Sequence, residues 1–207
     1  MTLLVNGTEL AAAGTILDTL LAAGIDLPHL CKDDNLAAIG ACRTCLVEAD
    51  GRIVAACATP AANVKIVETE SARVRKLRAG VLQLTLAMQT DATPTTSGGP
   101  LAGSLAETAA RAGVGDTPFE QVSGQAEDAS NPFFSFHEAA CILCGRCVAA
   151  CQSLQHISAI GLAGRGSRTV VTPGAGDSFR GSVCTSCGSC VAACPTTALR
   201  PKSGGAA

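Results

Sequence analysis

Cys184, Cys187, Cys190 and Cys194 follow the order C-x2-C-x2-C-x3-C and are trailed by Pro195; Cys141, Cys144, Cys147 and Cys151 repeat that order 43 residues earlier. Both stretches read C-x-x-C-G-x-C-V-A-A-C, and an internal repeat of this kind predicts two similar half-units packed together. Three thiolates two residues apart can wrap a tight turn around one face of a [4Fe–4S] cluster. The fourth lies too far along the next helical turn and is free for a neighbouring cluster. The spacing therefore predicts crossed ligation. Cys141, Cys144 and Cys147 would hold one cluster with Cys194, and Cys184, Cys187 and Cys190 would hold the other with Cys151. Gly145 and Gly188 let the backbone come close to the sulfides and donate N–H groups to them. The repeats differ at one point: Gln152 follows Cys151 where Pro195 follows Cys194.

The other four of the twelve cysteines, Cys31, Cys42, Cys45 and Cys57, are spaced C-x10-C-x2-C-x11-C. A long loop brings the first ligand, a tight pair follows, and the last comes from beyond a hairpin, a logic that suits a [2Fe–2S] cluster. No paired C-x-H spacing supplies the two histidines of a Rieske centre. Zinc is the alternative for the C-x2-C pairs, although the extra cysteines of the C-terminal runs are surplus to a tetrahedral site. Disulfides fit less well. Met1–Asn6 lacks the basic and apolar regions of a secretory signal, no apolar run reaches the length of a membrane span, and clustered cysteines in the reducing cytoplasm are more often metal ligands.

Positioning these thiols is the task of the remaining elements. Thr2–Val5, Asn6-Gly7 and Thr8–Ala12 predict a hairpin with a type I′ turn. Thr15 with Asp18 predicts a helix start, Gly24 its end, and Ile16, Leu17, Leu20 and Leu21 its apolar face. Asp50-Gly51 predicts a second hairpin whose return strand Arg52–Ala56 runs into Cys57, and Val64–Val67 predicts one more strand. Ser71–Gln89 predicts a helix whose early Arg73, Arg75, Lys76 and Arg78 form a solvated face or, as the alternative, dock an acidic partner, with a partner or a local acid such as Glu68 or Glu70 offsetting their conflict with the helix dipole. Asp91–Ser130 reads as a linker with a short helix over 105–112. Asn131–Phe136 holds three of the five phenylalanines and is expected to pack on the cluster domain. Gly161–Ser167 lacks the context of a phosphate loop and reads as a turn. His29, His137 and His156 are expected in structural or surface roles, because the cysteine sets are complete without them. There is no Trp or Tyr, and much of the 47% hydrophobic content is alanine, so metal binding must contribute to folding. A net charge of −2 suggests neither nucleic acid nor an anionic membrane as partner.

Leu27–Cys31, Gly40–Glu48, Cys57–Pro60, Ser130–Phe133 and Cys141–Cys147 resemble the N-terminal iron–sulfur region of the large peripheral-arm subunit of bacterial respiratory complex I. They are equally similar to the small diaphorase iron–sulfur subunit of NAD-reducing [NiFe] hydrogenases and to the N-terminal region of NAD-dependent molybdenum or tungsten formate dehydrogenases. The resemblance runs from about Thr2 to Pro201 and implies an α+β chain. Residues 1–70 would be a β-grasp [2Fe–2S] ferredoxin domain and 71–90 a connecting helix. Residues 91–131 would be a linker with a degenerate cluster site, and 132–207 a two-[4Fe–4S] ferredoxin-like domain. The degenerate site is where relatives carry a further cluster held by one His and three Cys. Those positions fall near Met88, Ala92, Thr95 and Leu101, which cannot form such a quartet.

The function expected on this basis is an electron-transfer subunit with one [2Fe–2S] and two [4Fe–4S] clusters. Its partners would be a flavin/NAD-binding diaphorase subunit and a hydrogenase or molybdenum/tungsten formate dehydrogenase subunit, in the cytoplasm and without membrane insertion. A chain stopping soon after the second cysteine run fits a small subunit better than a catalytic one, and no substrate-converting site is visible. A free-standing multi-cluster ferredoxin is the alternative, and a non-redox scaffold or sensor the third reading.

Overall fold

The computed structural model describes residues 1–89, 105–121, 126–174 and 176–202. Asn6 and Gly7 sit at φ 48° and 83°, the positive pair that a type I′ turn demands. They fold β1 (Thr2–Val5) onto β2 (Thr8–Ala11). Thr15 caps α1 (Ile16–Ala22): its Oγ1 accepts the Asp18 N–H at 3.2 Å and its own N–H donates to Asp18 Oδ2 at 2.9 Å. Asp50 and Gly51 turn β3 (Leu46–Ala49) onto β4 (Arg52–Ala55). β4 stops one residue before Ala56, because the chain tightens there into a 3₁₀ turn that carries Cys57. β5 (Ile66–Glu68) begins two residues later than expected, since the Val64 N–H still closes a turn on the Ala61 carbonyl. β5 runs parallel to β1 and antiparallel to β3, giving the order β2-β1-β5-β3-β4. Ile16, Leu17 and Leu20 of α1 pack on Leu3, Val5, Val47 and Val67 of this sheet, which is the β-grasp arrangement.

α2 (Ala72–Ala87) starts at Ser71, whose Oγ accepts the Val74 N–H and donates to Glu48 Oε2 at 2.7 Å, tying the helix to β3. The basic stretch is not simply a solvated face. Arg78 is buried, and its Nη2 donates to the Thr69 carbonyl at 2.6 Å and to Glu70 Oε1 at 2.7 Å. Glu70, one of the two expected acids, thus offsets the basic charge. α3 (Leu105–Arg111) lays Leu105 and Ala109 against Leu82 of α2 and against Ile142 and Cys144. Ala92, Thr95 and Leu101 lie outside the described residues; Met88 ends α2.

The C-terminal half is built on β6 (Glu127–Asp128) and β7 (Phe134–His137). The chain then forms α4 (Arg146–Ala149), a π-helical turn at Ala150–Leu154, and the hairpin of β8 (Gly161–Ala163) with β9 (Val170–Thr172). α5 (Ser189–Ala193) and β10 (Leu199–Pro201) follow, and β10 returns to pair with β7. The stretch at 161–167 is therefore strand and turn, and Gly164 is required there: φ is +81° and a Cβ would lie 2.1 Å from the Arg168 carbonyl. Phe134 and Phe136 are buried, whereas their sequence neighbour Phe133 is 51% exposed. Phe133 lies outside β7, whereas 134 and 136 share one face of the strand.

Phe179 meets Phe134 and Phe136 edge-on, with centroids 5.2 and 6.2 Å away, and its N–H donates to Asp128 Oδ2 at 2.7 Å. It anchors the segment leading to Cys184. Phe179→Ala is expected to destabilise the protein by about 3–5 kcal/mol, while Phe179→Leu retains much of the buried volume. Thermal scans of the iron-loaded proteins, followed by loss of cluster absorbance, should show a much lower midpoint for the alanine variant than for the leucine variant.

Candidate metal centres

The eight C-terminal cysteines separate into two cavities, and the separation is crossed. Cys141, Cys144, Cys147 and Cys194 line one, with Phe136, Ile142 and Val171 among its walls. Cys151, Cys184, Cys187 and Cys190 line the other, with Phe134, Ile157 and Ile160. Each fourth cysteine reaches across because α4 and α5 pack side by side, carrying Cys147 and Cys190 within them and delivering Cys151 and Cys194 just beyond. The repeats diverge in backbone where they diverge in sequence. Cys194 is extended, at φ −70° and ψ 121°, as a residue before proline prefers, and α5 ends there. Gln152 imposes no such stop, so Cys151 sits inside the π-helical turn.

The loops repeat a backbone device. Gly145 and Gly188 cap their helices at φ 79° and 78°, and two residues before each stand Leu143 and Ser186, also left-handed at 51° and 58°. A side-chain-bearing residue in this region costs roughly 1–2 kcal/mol, and the gain is direction. The Leu143 N–H donates to Cys141 Sγ and the Ser186 N–H to Cys184 Sγ, each at 3.4 Å. The Ala159 N–H donates to Cys151 Sγ at 3.2 Å. Buried Asn131 adds Nδ2, 2.8 Å from Ser186 Oγ and 3.9 Å from Cys184 Sγ. Sequence reasoning identifies the glycines and misses Leu143, Ser186 and the Asn131 amide. The 43-residue repeat aligns 143 with 186, but nothing in their side chains signals a left-handed backbone.

The N-terminal quartet is drawn together by the long loop after α1 and the β3–β4 hairpin. Cys31, Cys45 and Cys57 are each 1% exposed and Cys42 is half-buried. Contact with Cys31, then burial, pushes the Cys42 thiol up. Contact with Cys31 favours the Cys57 thiolate, yet contact with Cys45 and burial carry it to about 11, and the same Cys57 contact holds Cys45 down. In the first C-terminal cavity burial dominates: it raises Cys144 and Cys147, and with the charge of Cys194 it takes Cys141 to about 11. In the second, burial and the charges of Cys184 and Cys187 lift Cys190 to about 12. Exposed Cys187 runs the other way, because its slight burial is outweighed by the N–H and hydroxyl of Ser189.

Crowded, buried thiols of this kind resist ionising together unless a cationic centre is supplied, and that donor chemistry fits iron–sulfur clusters. Among the described residues no set of three or more His, Cys, Asp or Glu side chains closes to the spacing of a single-ion site; the C-terminal quartets instead line the walls of cavities. No histidine lines either C-terminal cavity. His29 Nδ1 lies 2.7 Å from the Leu27 carbonyl, His137 Nε2 lies 2.8 Å from Ser135 Oγ, and His156 is exposed.

Comparison with known proteins places a 2Fe-2S iron-sulfur cluster binding domain over residues 1–72 and a 4Fe-4S dicluster domain over 140–198. The chain is 34% identical to YrhE of Bacillus subtilis, a protein assigned as a formate dehydrogenase, over 73% of its own length. It is 32% identical to the mitochondrial NADH-ubiquinone oxidoreductase 78 kDa subunit of Candida albicans over 77%, and 34% identical to the NADP-reducing hydrogenase subunit HndD of Solidesulfovibrio fructosivorans over 84%. It spans only 16%, 23% and 31% of the lengths of these three proteins. A chain in the crystal structure of an NAD+-reducing [NiFe]-hydrogenase in the H2-reduced state superposes with a TM-score of 0.83 at 29% identity, covering 98% of this chain and 88% of that one.

The exposure of Cys187 generates a prediction. When iron-loaded protein is incubated anaerobically with a chelator and an alkylating agent, Cys151, Cys184, Cys187 and Cys190 should be labelled as a set, ahead of Cys141, Cys144, Cys147 and Cys194. Mass spectrometry of the labelled peptides over time checks both the order and the membership of the sets.

Proposed function

We propose that this homologue of NAD-linked oxidoreductase subunits, with an iron–sulfur domain at each end, is the wiring subunit of a complex that joins a flavin/NAD(H) subunit to a hydrogenase or formate dehydrogenase subunit. Cys31, Cys42, Cys45 and Cys57 hold a [2Fe–2S] cluster. Cys141, Cys144, Cys147 and Cys194 hold one [4Fe–4S] cluster, and Cys184, Cys187, Cys190 and Cys151 hold the other. When bound, these clusters supply one-electron exchange. The chain's own residues fix the thiols, exclude water and aim N–H donors at the sulfurs.

The observation that carries this reading is the crossed partition of eight cysteines into two cavities. The N-terminal quartet is continuous with it: Cys31 and Cys42 belong to the same apolar cluster as Ile142 and Cys144 of the first cavity. Twelve cysteines grouped as metal ligands rather than paired as disulfides suit a reducing compartment, the cytoplasm, and among the described residues no helix is long and apolar enough to cross a membrane.

Anaerobic purification of the tagged protein from its host tests the assignment. About ten irons per chain, two plus four plus four, are expected, together with a bound flavoprotein and a nickel or pterin subunit identified by mass spectrometry. The same iron content in a chain that comes away alone would replace the subunit assignment by a free-standing multi-cluster ferredoxin. Cys144→Ala and Cys194→Ala should each remove about four irons from the same site, and Cys151→Ala about four from the other.

A further inference from the structure

Buried cations in this chain are answered by acids. Arg146, 1% exposed, donates from Nη2 to Asp33 Oδ2, and buried Arg78 donates to Glu70 Oε1 and to the Thr69 carbonyl. The cations at the start of α2 divide differently. Arg73 reaches an acid, with its Nη1 3.7 Å from Glu48 Oε1. Arg75 and Lys76 are exposed, and neither side chain meets an acid or another acceptor among the described residues. Arg73 and Arg75 fall in the first turn of the helix, which holds no acid, and Lys76 follows it. The helix dipole disfavours positive charge at that end, so stability alone would place these side chains at the other. A local choice that works against the fold marks a place under another demand.

Shape is the second observation. Arg75 lines a cavity of about 390 Å³ together with Arg78, Arg111, Asp26 and Glu70. Arg78 Nη2 holds Glu70, and Arg111 Nη1 lies 3.3 Å from Asp26 Oδ2. Three guanidiniums therefore face two carboxylates, and each carboxylate is already engaged. One positive charge is in excess, the complement of one more carboxylate, for which a guanidinium is the best-matched donor. Leu77, next in sequence to Lys76 and 41% exposed, adds an apolar contact. Pro28, three residues before Cys31, belongs to the same wall, so whatever docks here stands beside the loop of the first N-terminal thiol. The excess is local. The chain as a whole carries a charge of −2, which favours neither nucleic acid nor an anionic lipid surface.

We propose that this cavity, with Arg75 in its wall and Lys76 beside it, receives an acidic side chain of a partner protein and docks the subunit that exchanges electrons with the site at Cys31, Cys42, Cys45 and Cys57. The inference rests on the electron-transfer reading above. Complementary charge speeds the encounter and fixes the register of the two proteins. Arg78 and Arg111, already tied to acids of this chain, shape the cavity, and Arg75 and Lys76 supply the unmet charge.

The test uses the complex purified anaerobically from the host at low salt. A zero-length carbodiimide joins an amine to a carboxylate that touches it. Lys76 should become linked to an Asp or Glu of a copurifying subunit, identified from the linked peptides by mass spectrometry. Linkage of Lys76 to acids of its own chain alone overturns the proposal. The iron-loaded chain is then titrated with that subunit, produced separately. Arg75→Glu combined with Lys76→Glu should raise Kd at least about tenfold at low ionic strength and flatten its rise with salt, and replacing the linked acid of the partner by Lys should recover the loss. An unchanged Kd and salt dependence at full iron content overturn the proposal. If the double variant fails to retain iron, Arg75→Gln decides: about threefold weaker binding supports the proposal and unchanged binding overturns it. Binding to phosphatidylglycerol vesicles that the double variant loses, with the Kd for the subunit unmoved, would assign the patch to a lipid surface and overturn the proposal too. A chain that comes away alone with its irons overturns the subunit reading and this inference with it, a result distinct from a complex whose binding ignores these charges.

Discussion

Thiolates repel one another, and burial makes the repulsion worse. This chain nonetheless gathers its cysteines into three crowded sets, two of them walled by apolar side chains. The cost appears in the thiols themselves: burial and neighbouring thiolates raise Cys42, Cys57, Cys141, Cys144, Cys147 and Cys190 above the ordinary range. A protein without Trp or Tyr, more than a third of whose apolar residues are alanine, has little spare core to offset that cost. Binding energy from a cationic iron core relieves the repulsion and contributes to folding at once. The small elements around the quartets then make sense. Four-residue strands and short helices need only bring ligands to the rim of a cavity, since the bound centre completes the packing.

The two halves of the C-terminal domain share a backbone but not an environment. Leu143 and Gly145 match Ser186 and Gly188 in conformation, so the direction of the N–H groups is common to both sites. Side chains then separate them. The first site has a buried arginine at the third loop position and deeply buried Cys144 and Cys147; the second has serine there, an exposed Cys187 and the Asn131 amide beside Cys184. Charge, hydrogen bonds to sulfur and exposure are the levers that move a cluster's potential. Duplicating the loop and varying these neighbours is a direct way to obtain two centres of different character from one motif.

What can be read in the sequence is whatever is encoded locally. Cysteine spacing is covalent information, and the crossed sets follow from the reach of one helical turn. Asn6-Gly7, Asp50-Gly51 and the Thr15–Asp18 box are short-range signals with one physical solution each. The features that escape are long-range or lie in the backbone. Arg146 and Asp33 are 113 residues apart, and each alone reads as an ordinary charged residue. Phe179 has no periodic partner to mark it as the third ring of the Phe134–Phe136 cluster. Leu143 and Ser186 look ordinary until their φ angles are known. Arg78 reads as one of the solvated charges because helix periodicity describes a face, not the Glu70 and Thr69 carbonyl that receive this one side chain.

The helical region between the domains runs through α2 and α3. The described part of that region is used for packing. Leu82 of α2 and Leu105, Ala109 and Val114 in and after α3 form one buried cluster with Leu30 and Cys31 on one side and Ile142 and Cys144 on the other. The described part of this connection is an apolar wedge touching ligand loops of both domains. An apolar wedge has only contact to offer, so the relative placement of the loops depends on complementary packing and on the Arg146–Asp33 pair. That pair crosses the boundary in a buried setting, where an ionic hydrogen bond has a strong orientation and few alternatives. Direct contact between the domains is therefore the element that holds the first two thiol sets in register.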